Sequence, residues 1–383
     1  MQFSFTEQQT DFRDAVRQML DRECTPADLR AVFDAAVGPD GGTDGGTGTA
    51  SDAPSSPSAP TPSLVHTARW KTLADMGIVG LTIPELHGGL GLTDLDLVLL
   101  LEEAGRAALP EPLLETTALA APLLARTGFG PERGTEIGAL SNHWLPLIAE
   151  GDAIAAIGLS GMPAVPGAVG ADLYILEHAS PDVGPEIHAV PAEEVGVVPV
   201  SSLDPTRRLG TVDWTPAHNT LVAAGSDAEL ALAVLADRAA VGTAAELVGL
   251  ADRLITIAAD YAKERMQFGR VIGSFQAVKH LLAGAQVKLE FARPVTYAAA
   301  WSLAHRASDA SRRASMAKAY ASEAATEAAR VSLQVHGAIG YTWECDLHLF
   351  LKRAWALTPA WGDAAEHRSR VLASVVDERA QRS

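Results

Sequence analysis

The feature that most limits the fold is a change of texture near the middle of the chain. Between Asp152 and Asp227 the sequence breaks into "AIAAIGL", "DLYILEH", "EIHAVPA", "VGVVPVSS", "LGTVDWT" and "NTLVAAG", short apolar or alternating runs separated by turn residues. Runs of that length and period are strands, and about six of them make a small β unit. On both sides the texture is helical. Before it, "FTEQQTDFRDAVRQMLDREC" reads as a helix capped by Thr6, and "HTARWKTLADMG" and "LDLVLLLEEAGRAALPEPLLETTALAAPLLARTG" continue in the same manner. After it, "LVGLADRLITIAADYA" sets Leu247, Leu250, Ala251, Leu254, Ala258 and Tyr261 on one stripe, and three further helical segments follow near 276–305, 308–335 and 344–378. The expected fold is therefore mostly α with a β insert. An N-terminal helical domain (1–140) precedes a middle β-barrel-like domain (141–226) and a C-terminal four-helix bundle (227–383).

Residues 38–63 are almost entirely Gly, Pro, Ser, Thr, Ala and Asp. Such a stretch has too little apolar surface to offset its ordering entropy, so it reads as a flexible insertion within the first helical domain. The formal net charge of −17 argues against nucleic acid as the main partner. Cys24 and Cys345, far apart, form neither a metal pair nor a disulfide framework. The N-terminus lacks an apolar signal core, and no run of about 18 apolar residues occurs, so no membrane association is expected and the cytoplasm is the expected location.

Two clusters interrupt the helical texture. "KERMQFGRVIGSFQAVKH", residues 263–280, carries Arg265 and Arg270, Gln267 and Gln276, Phe268 and Phe275, with Gly269 and Gly273 between two helices. Cations and open backbone N–H groups at a helix start suit an anion, amides suit a polar ring or ribose, and aromatic faces suit a flat group. On composition alone, a helix hairpin with a solvated basic corner is the readier reading. "LQVHGAIGYTWE", residues 333–344, ends another helix with Gly337 and Gly340 around a backbone that a ligand could approach closely. Neither glycine set follows a strand, so neither fits a dinucleotide-binding βαβ unit.

Together these stretches resemble the acyl-CoA dehydrogenase family. "RMQFGRVIGSFQAVKH" resembles its R-x-x-F-G element, "QVHGAIGYTWE" its Q-x-x-G-G-x-G element, and "PELHGGLGLTDLDLVLLLEEAGR" its N-terminal glycine loop and helix. The helix–β–helix order agrees, and the resemblance spans the chain. It implies a tetramer that uses FAD to desaturate the α,β bond of an acyl-CoA, with an electron-transfer flavoprotein as acceptor. It also implies that Arg265, Gln267, Phe268 and Gln276 meet the pyrophosphate and adenosine part of an FAD held by a neighbouring subunit. Gln334, Gly337 and Ala338 would line its other end, Ala338 standing where the motif has its second glycine.

The remainder of the family pattern is degraded. Of the elements that cover a subunit's own flavin ring, only Ser160 persists. The usual base is a glutamate before a glycine, and that slot falls on Trp361–Gly362. An alternative slot near the start of the first bundle helix falls on Ala239–Ala240. Asp237, Glu246 and Asp363 are the fallback carboxylates, although Glu246 also reads as a helix or interface polar group and Asp363 as a cap of the last helix. Glu344, His280 and His336 read as structural or surface groups, and "LDPTRR", residues 203–208, as a solvated turn.

The pattern resembles the base-lacking subunit of heterotetrameric acyl-CoA dehydrogenases found in actinobacterial sterol and other specialised acyl-CoA breakdown. In these, a homologous catalytic subunit supplies the base. Two alternatives stand beside it: a homomeric dehydrogenase with a displaced carboxylate base, and a non-catalytic acyl-CoA-binding or scaffold subunit.

Overall fold

The computed structural model describes residues 4–37, 67–128 and 135–382. The glycine- and proline-rich stretch expected to be a flexible insertion, 38–63, lies outside them.

The N-terminal helices are α1 (Glu7–Glu23), α2 (Pro26–Val37), α3 (Ala68–Asp75), α4 (Asp94–Ala107), α5 (Ala121–Gly128) and α6 (Thr135–Ala149). Thr6 caps α1 as its residue type predicts: its hydroxyl accepts from the Gln9 backbone, and the Gln9 side chain accepts from the Thr6 N–H in return. A π-helical segment, Leu114–Ala120, leads into α5 and is buried throughout. The helix α6 continues past residue 140, so a division placed there passes through it.

Six strands follow: β1 (Ala155–Gly158), β2 (Leu173–Ser180), β3 (Gly184–Pro191), β4 (Gly196–Pro199), β5 (Gly210–Asp213) and β6 (Leu221–Ala224). The barrel-like expectation is corrected here. The strands form an open four-stranded sheet in the order β1-β2-β3-β6 and a separate two-stranded β4-β5 sheet, and no closed barrel forms among the described residues. The reason lies in the pleat. Ile157, Leu173, Ile175, Ile187 and Ala189 point to the helical core, whereas Ala156, Tyr174, Leu176 and Val190 point to a second small core with Val165 and Ala168. A sheet covered by helices on one face and a hairpin on the other has no need to close on itself.

The C-terminal part comprises α7 (Gly225–Glu264), a short hairpin of β7 (Met266–Gln267) and β8 (Arg270–Val271), then α8 (Gln276–Ala304), α9 (Ala310–His336), α10 (Leu347–Leu357) and α11 (Ala364–Arg382). The single segment expected near 344–378 is thus two helices. The break comes at Trp361 and Gly362, whose φ values of 59° and 97° end any right-handed helix.

The longest helix, α7, joins the bundle to the first part of the molecule. It crosses α4 where Gly105 and Gly249 meet: a Cβ on Gly249 would lie 1.9 Å from the Glu102 carbonyl oxygen, and one on Gly105 2.0 Å from that of Glu246. Only glycine lets two helix backbones approach so closely. No helix among the described residues is long and apolar enough to cross a membrane.

Candidate functional site

The two glycine-containing clusters arrive at one end of the bundle. Both α7 and α9 end there, and the Tyr261 and His336 rings stack with centroids 4.3 Å apart and planes 17° from parallel. The His336 imidazole is fixed by a contact of 2.8 Å between Nδ1 and the Ser332 carbonyl, and burial holds its pKa below the usual value. From this joint the motif residues face outward. Arg265, Gln267, Phe268, Gln276, Gln334, Gly337 and Ala338 are all exposed, Phe268 to 91% at a φ of 50°. Arg270 lies over the Phe275 ring, 4.1 Å from its centroid.

These features fit the flat, anionic group that the motifs imply. The 29-residue α8 begins after Phe275, which offers no side-chain cap, so its first N–H groups are open to an anion. A Cβ added at Gly337 would meet nothing within 4 Å, which leaves that backbone accessible. Phe268, Tyr341 and Trp343 are large apolar side chains left exposed in the two clusters.

A second feature is a cavity of about 850 Å³ between α5, the first turns of α7 and the α8–α9 connection. Leu119, Leu123, Leu230, Val234 and Leu303 make its walls apolar, and Asp237 and Arg238 supply polarity. Burial raises the pKa of Asp237, while a hydrogen bond from Ser311 and the charge of Arg370 oppose the rise. Arg238 donates to Asp94 Oδ2 at 3.0 Å. Ala239, the alternative base slot, is fully buried.

The usual base slot is occupied by a locked turn. Trp361 packs its indole against the main core, and its carbonyl contacts His367 Nε2 at 2.9 Å. Asp363 accepts from the Glu366 N–H at 2.8 Å and so caps α11, the structural role its position suggests.

Glu246 lies elsewhere. It lines a chamber of about 30 Å³, room for a water or two, with Glu115, Arg207 and Arg353. Its pKa is pushed up to about 8, first by burial and then by the Glu115 charge, with Arg353 and Arg207 opposing. The 203–208 turn belongs to this network rather than to solvent, a correction to the sequence reading. Asp204 is fully buried and pairs with Arg353 Nε. Arg353 also donates to the Leu109 carbonyl at 2.7 Å and Thr206 Oγ1 at 2.5 Å. Burial lowers the pKa of Arg207, which donates to the Ala356 carbonyl at 3.2 Å. Sequence reasoning passed over Arg353, although the signal was there: it shares an apolar helical face with Phe350, Ala354 and Leu357.

The remaining candidates stay apart from these groups. Ser160 and Glu344 are exposed, and the Ser160 N–H donates to Glu177 Oε2 at 2.9 Å. His280 is exposed on α8. Both Cys24 and Cys345 are free thiols.

Comparisons with known proteins agree with this architecture. Residues 59–152 match the N-terminal domain of acyl-CoA dehydrogenases and residues 230–376 the C-terminal domain. The chain is similar to the acyl-CoA dehydrogenase IpdE2 of Mycobacterium tuberculosis, 35% identical over 74% of this chain and 79% of that one. It is also similar to IpdE2 of Mycolicibacterium smegmatis, 31% identical over 97% and 99% of the two chains. Among solved structures, a variant of the Tcur3481–Tcur3483 steroid ACAD superposes with a TM-score of 0.79 at 25% identity, covering 98% of this chain and 99% of that one. The ChsE4–ChsE5 complex of Mycobacterium tuberculosis gives a TM-score of 0.79 at 24% identity and the same coverage, a likeness of fold. With its three-part architecture and both matched domains, this chain belongs to the acyl-CoA dehydrogenase family.

Proposed function

We propose that this chain is the FAD-pocket-completing subunit of a heteromeric acyl-CoA dehydrogenase that desaturates the α,β bond of an acyl-CoA thioester. The observation that carries this reading is an asymmetry within the chain. The motifs expected to serve a neighbour's cofactor are kept, apart from Ala338 in the place of one glycine, and are exposed at one end of the bundle, while the base slot holds Trp361 in a turn pinned by His367. Two similar structures, Tcur3481–Tcur3483 and ChsE4–ChsE5, are named as pairs of different chains, which accords with a two-chain enzyme.

In this reading Arg265 and the open N–H groups at the start of α8 hold the pyrophosphate of FAD, and Gln267, Phe268 and Gln276 contact its adenosine part. Gln334 and the backbone at Gly337 and Ala338 border the other end. When bound, FAD supplies the hydride acceptor for the β-carbon. An indole cannot take the acidic α-proton, so that proton goes to a carboxylate of the homologous partner subunit. An electron-transfer flavoprotein is the expected final acceptor.

The chain should be purified alone and together with a co-encoded homologue, then assayed for acyl-CoA desaturation with a dye acceptor. Activity only in the joint preparation supports the proposal, and equal activity in the solo preparation overturns it.

One observation favours a second reading. Asp237 lies on the wall of the large cavity and its pKa is raised by burial, the direction that strengthens a carboxylate as a base. A homomeric enzyme using Asp237 would be active alone and would lose that activity in Asp237→Asn.

A further inference from the structure

The Trp361–Gly362 turn is held by a group that the reaction itself does not account for. Lys318, on α9, is completely buried. Its ammonium donates to Ser322 Oγ at 3.1 Å, to the Thr358 carbonyl at 2.7 Å and to the Gly362 carbonyl at 2.9 Å, which uses all three of its protons. The Thr358 carbonyl lies at the C-terminal end of α10, where a cation also meets the negative end of the helix dipole. The Gly362 carbonyl belongs to the residue that turns the chain into α11, and a Cβ there would lie 2.9 Å from His367 Nε2. A buried lysine is expensive to keep charged unless its protons are all satisfied, as here.

We propose that Lys318 is a positioning residue: its ammonium holds the α10–α11 turn, fixing the Trp361–Gly362 pair at the base slot and the helix that brings Arg370 toward Asp237. The link to the cavity is electrostatic. Arg370 lies on α11 and acts on the Asp237 carboxylate, so a turn that relaxes would move a charge on the cavity wall. The importance of this turn for catalysis rests on the functional reading above; the clamp itself stands on the hydrogen bonds.

The clamp should open when the ammonium loses its proton. Burial lowers the pKa of Lys318 to about 8, with Asp363 and Glu366 opposing the shift. The other titratable neighbour is His367, whose own pKa is lowered by burial, so it is neutral throughout the alkaline range. Ser322 and the two carbonyls do not titrate.

The test is Trp361 emission in the full chain, taken as the difference between wild type and Trp361→Phe and followed from about pH 6.5 to 9.5. The account expects a transition centred near pH 8. Lys318→Met should show the alkaline spectrum at every pH, and Lys318→Arg should keep the neutral spectrum to the end of the range. A flat wild-type titration, or the same transition in Lys318→Met, overturns the proposal. If Lys318→Met does not fold, Lys318→Arg decides: a transition near pH 8 that persists in it belongs to another group, such as Glu246, whose pKa is also about 8, and overturns the proposal. A purely stabilising role would lower the melting temperature of Lys318→Met without altering Trp361 emission. Lack of desaturase activity in every preparation would defeat the functional reading and leave the titration result intact.

Discussion

His336 stacks on Tyr261 at 4.3 Å, and this contact joins the two sequence elements assigned to the cofactor. The elements lie 58 or more residues apart in sequence, from Arg265–Gln276 to Gln334–Ala338, and meet because α7 and α9 run side by side to the same end. His336→Ala removes the stack, which is worth about 1 kcal/mol beyond the area it buries. The expected result is a lower flavin content in the purified complex, read from the ratio of visible to ultraviolet absorbance, with a melting temperature only a few degrees lower. Unchanged flavin content would show that the joint does not order the site.

The α4–α7 crossing predicts a sharp contrast between glycines. Gly249→Ala puts a methyl 1.9 Å from the Glu102 carbonyl oxygen, so the helices must separate. The expected loss is about 3 kcal/mol or more, measured by denaturant unfolding. Gly284→Ala, on the exposed face of α8 with nothing within 4 Å, should instead raise the stability of the isolated chain by about 0.5–1 kcal/mol through helix propensity.

Glu246 makes stability depend on pH. Its folded pKa of about 8 lies above that of an unfolded glutamate, so the folded chain binds more protons between about pH 4.5 and 8. Stability from this group is therefore fully present at low pH and is lost as pH rises through that window. At pH 7 the loss amounts to roughly 3 kcal/mol. Glu246→Gln should flatten this part of the profile and raise the melting temperature near pH 7.5. The buried histidines act in the opposite direction. Burial lowers the pKa of His336, His348 and His367, so below about pH 6.5 the unfolded chain takes up protons that the folded chain refuses, and stability falls with acid. In Glu246→Gln the acid limb should remain and the alkaline slope should shrink.

Asp237→Asn separates the two functional readings. In the heteromeric account Asp237 is a wall residue of the large cavity. Its substitution should then change KM for acyl-CoA by a few-fold and leave kcat of the complex within about threefold. A drop in kcat of about 10³-fold would make Asp237 the base.

The helical and β textures, the cap at Thr6 and the ends of α8 and α9 were legible because periodicity and capping act over a few residues. The open sheet was not. Strand alternation shows which residues are buried, but not that Tyr174 and Leu176 face a separate core under β4 and β5. The break at Trp361 was legible only in part: Asp363 read as a cap of the last helix, but the bonds from Lys318, more than forty residues before Gly362, to the carbonyls of Thr358 and Gly362 were not. The burial of Asp204 is equally non-local, since "LDPTRR" reads as a polar turn until Arg353 of α10 is brought against it. Charged residues on apolar helical faces, Lys318 and Arg353, were the visible trace of both contacts.

The most direct test of the central claim is the flavin stoichiometry of this chain, alone and in complex with its homologous partner. FAD released by denaturation is measured by absorbance and the chains by amino-acid analysis. The account predicts close to one FAD per pair of unlike chains in the complex, a loss of most of it in Arg265→Ala of this chain, and a nearly colourless solo preparation. One FAD per chain in the solo preparation, retained with desaturase activity, would contradict it.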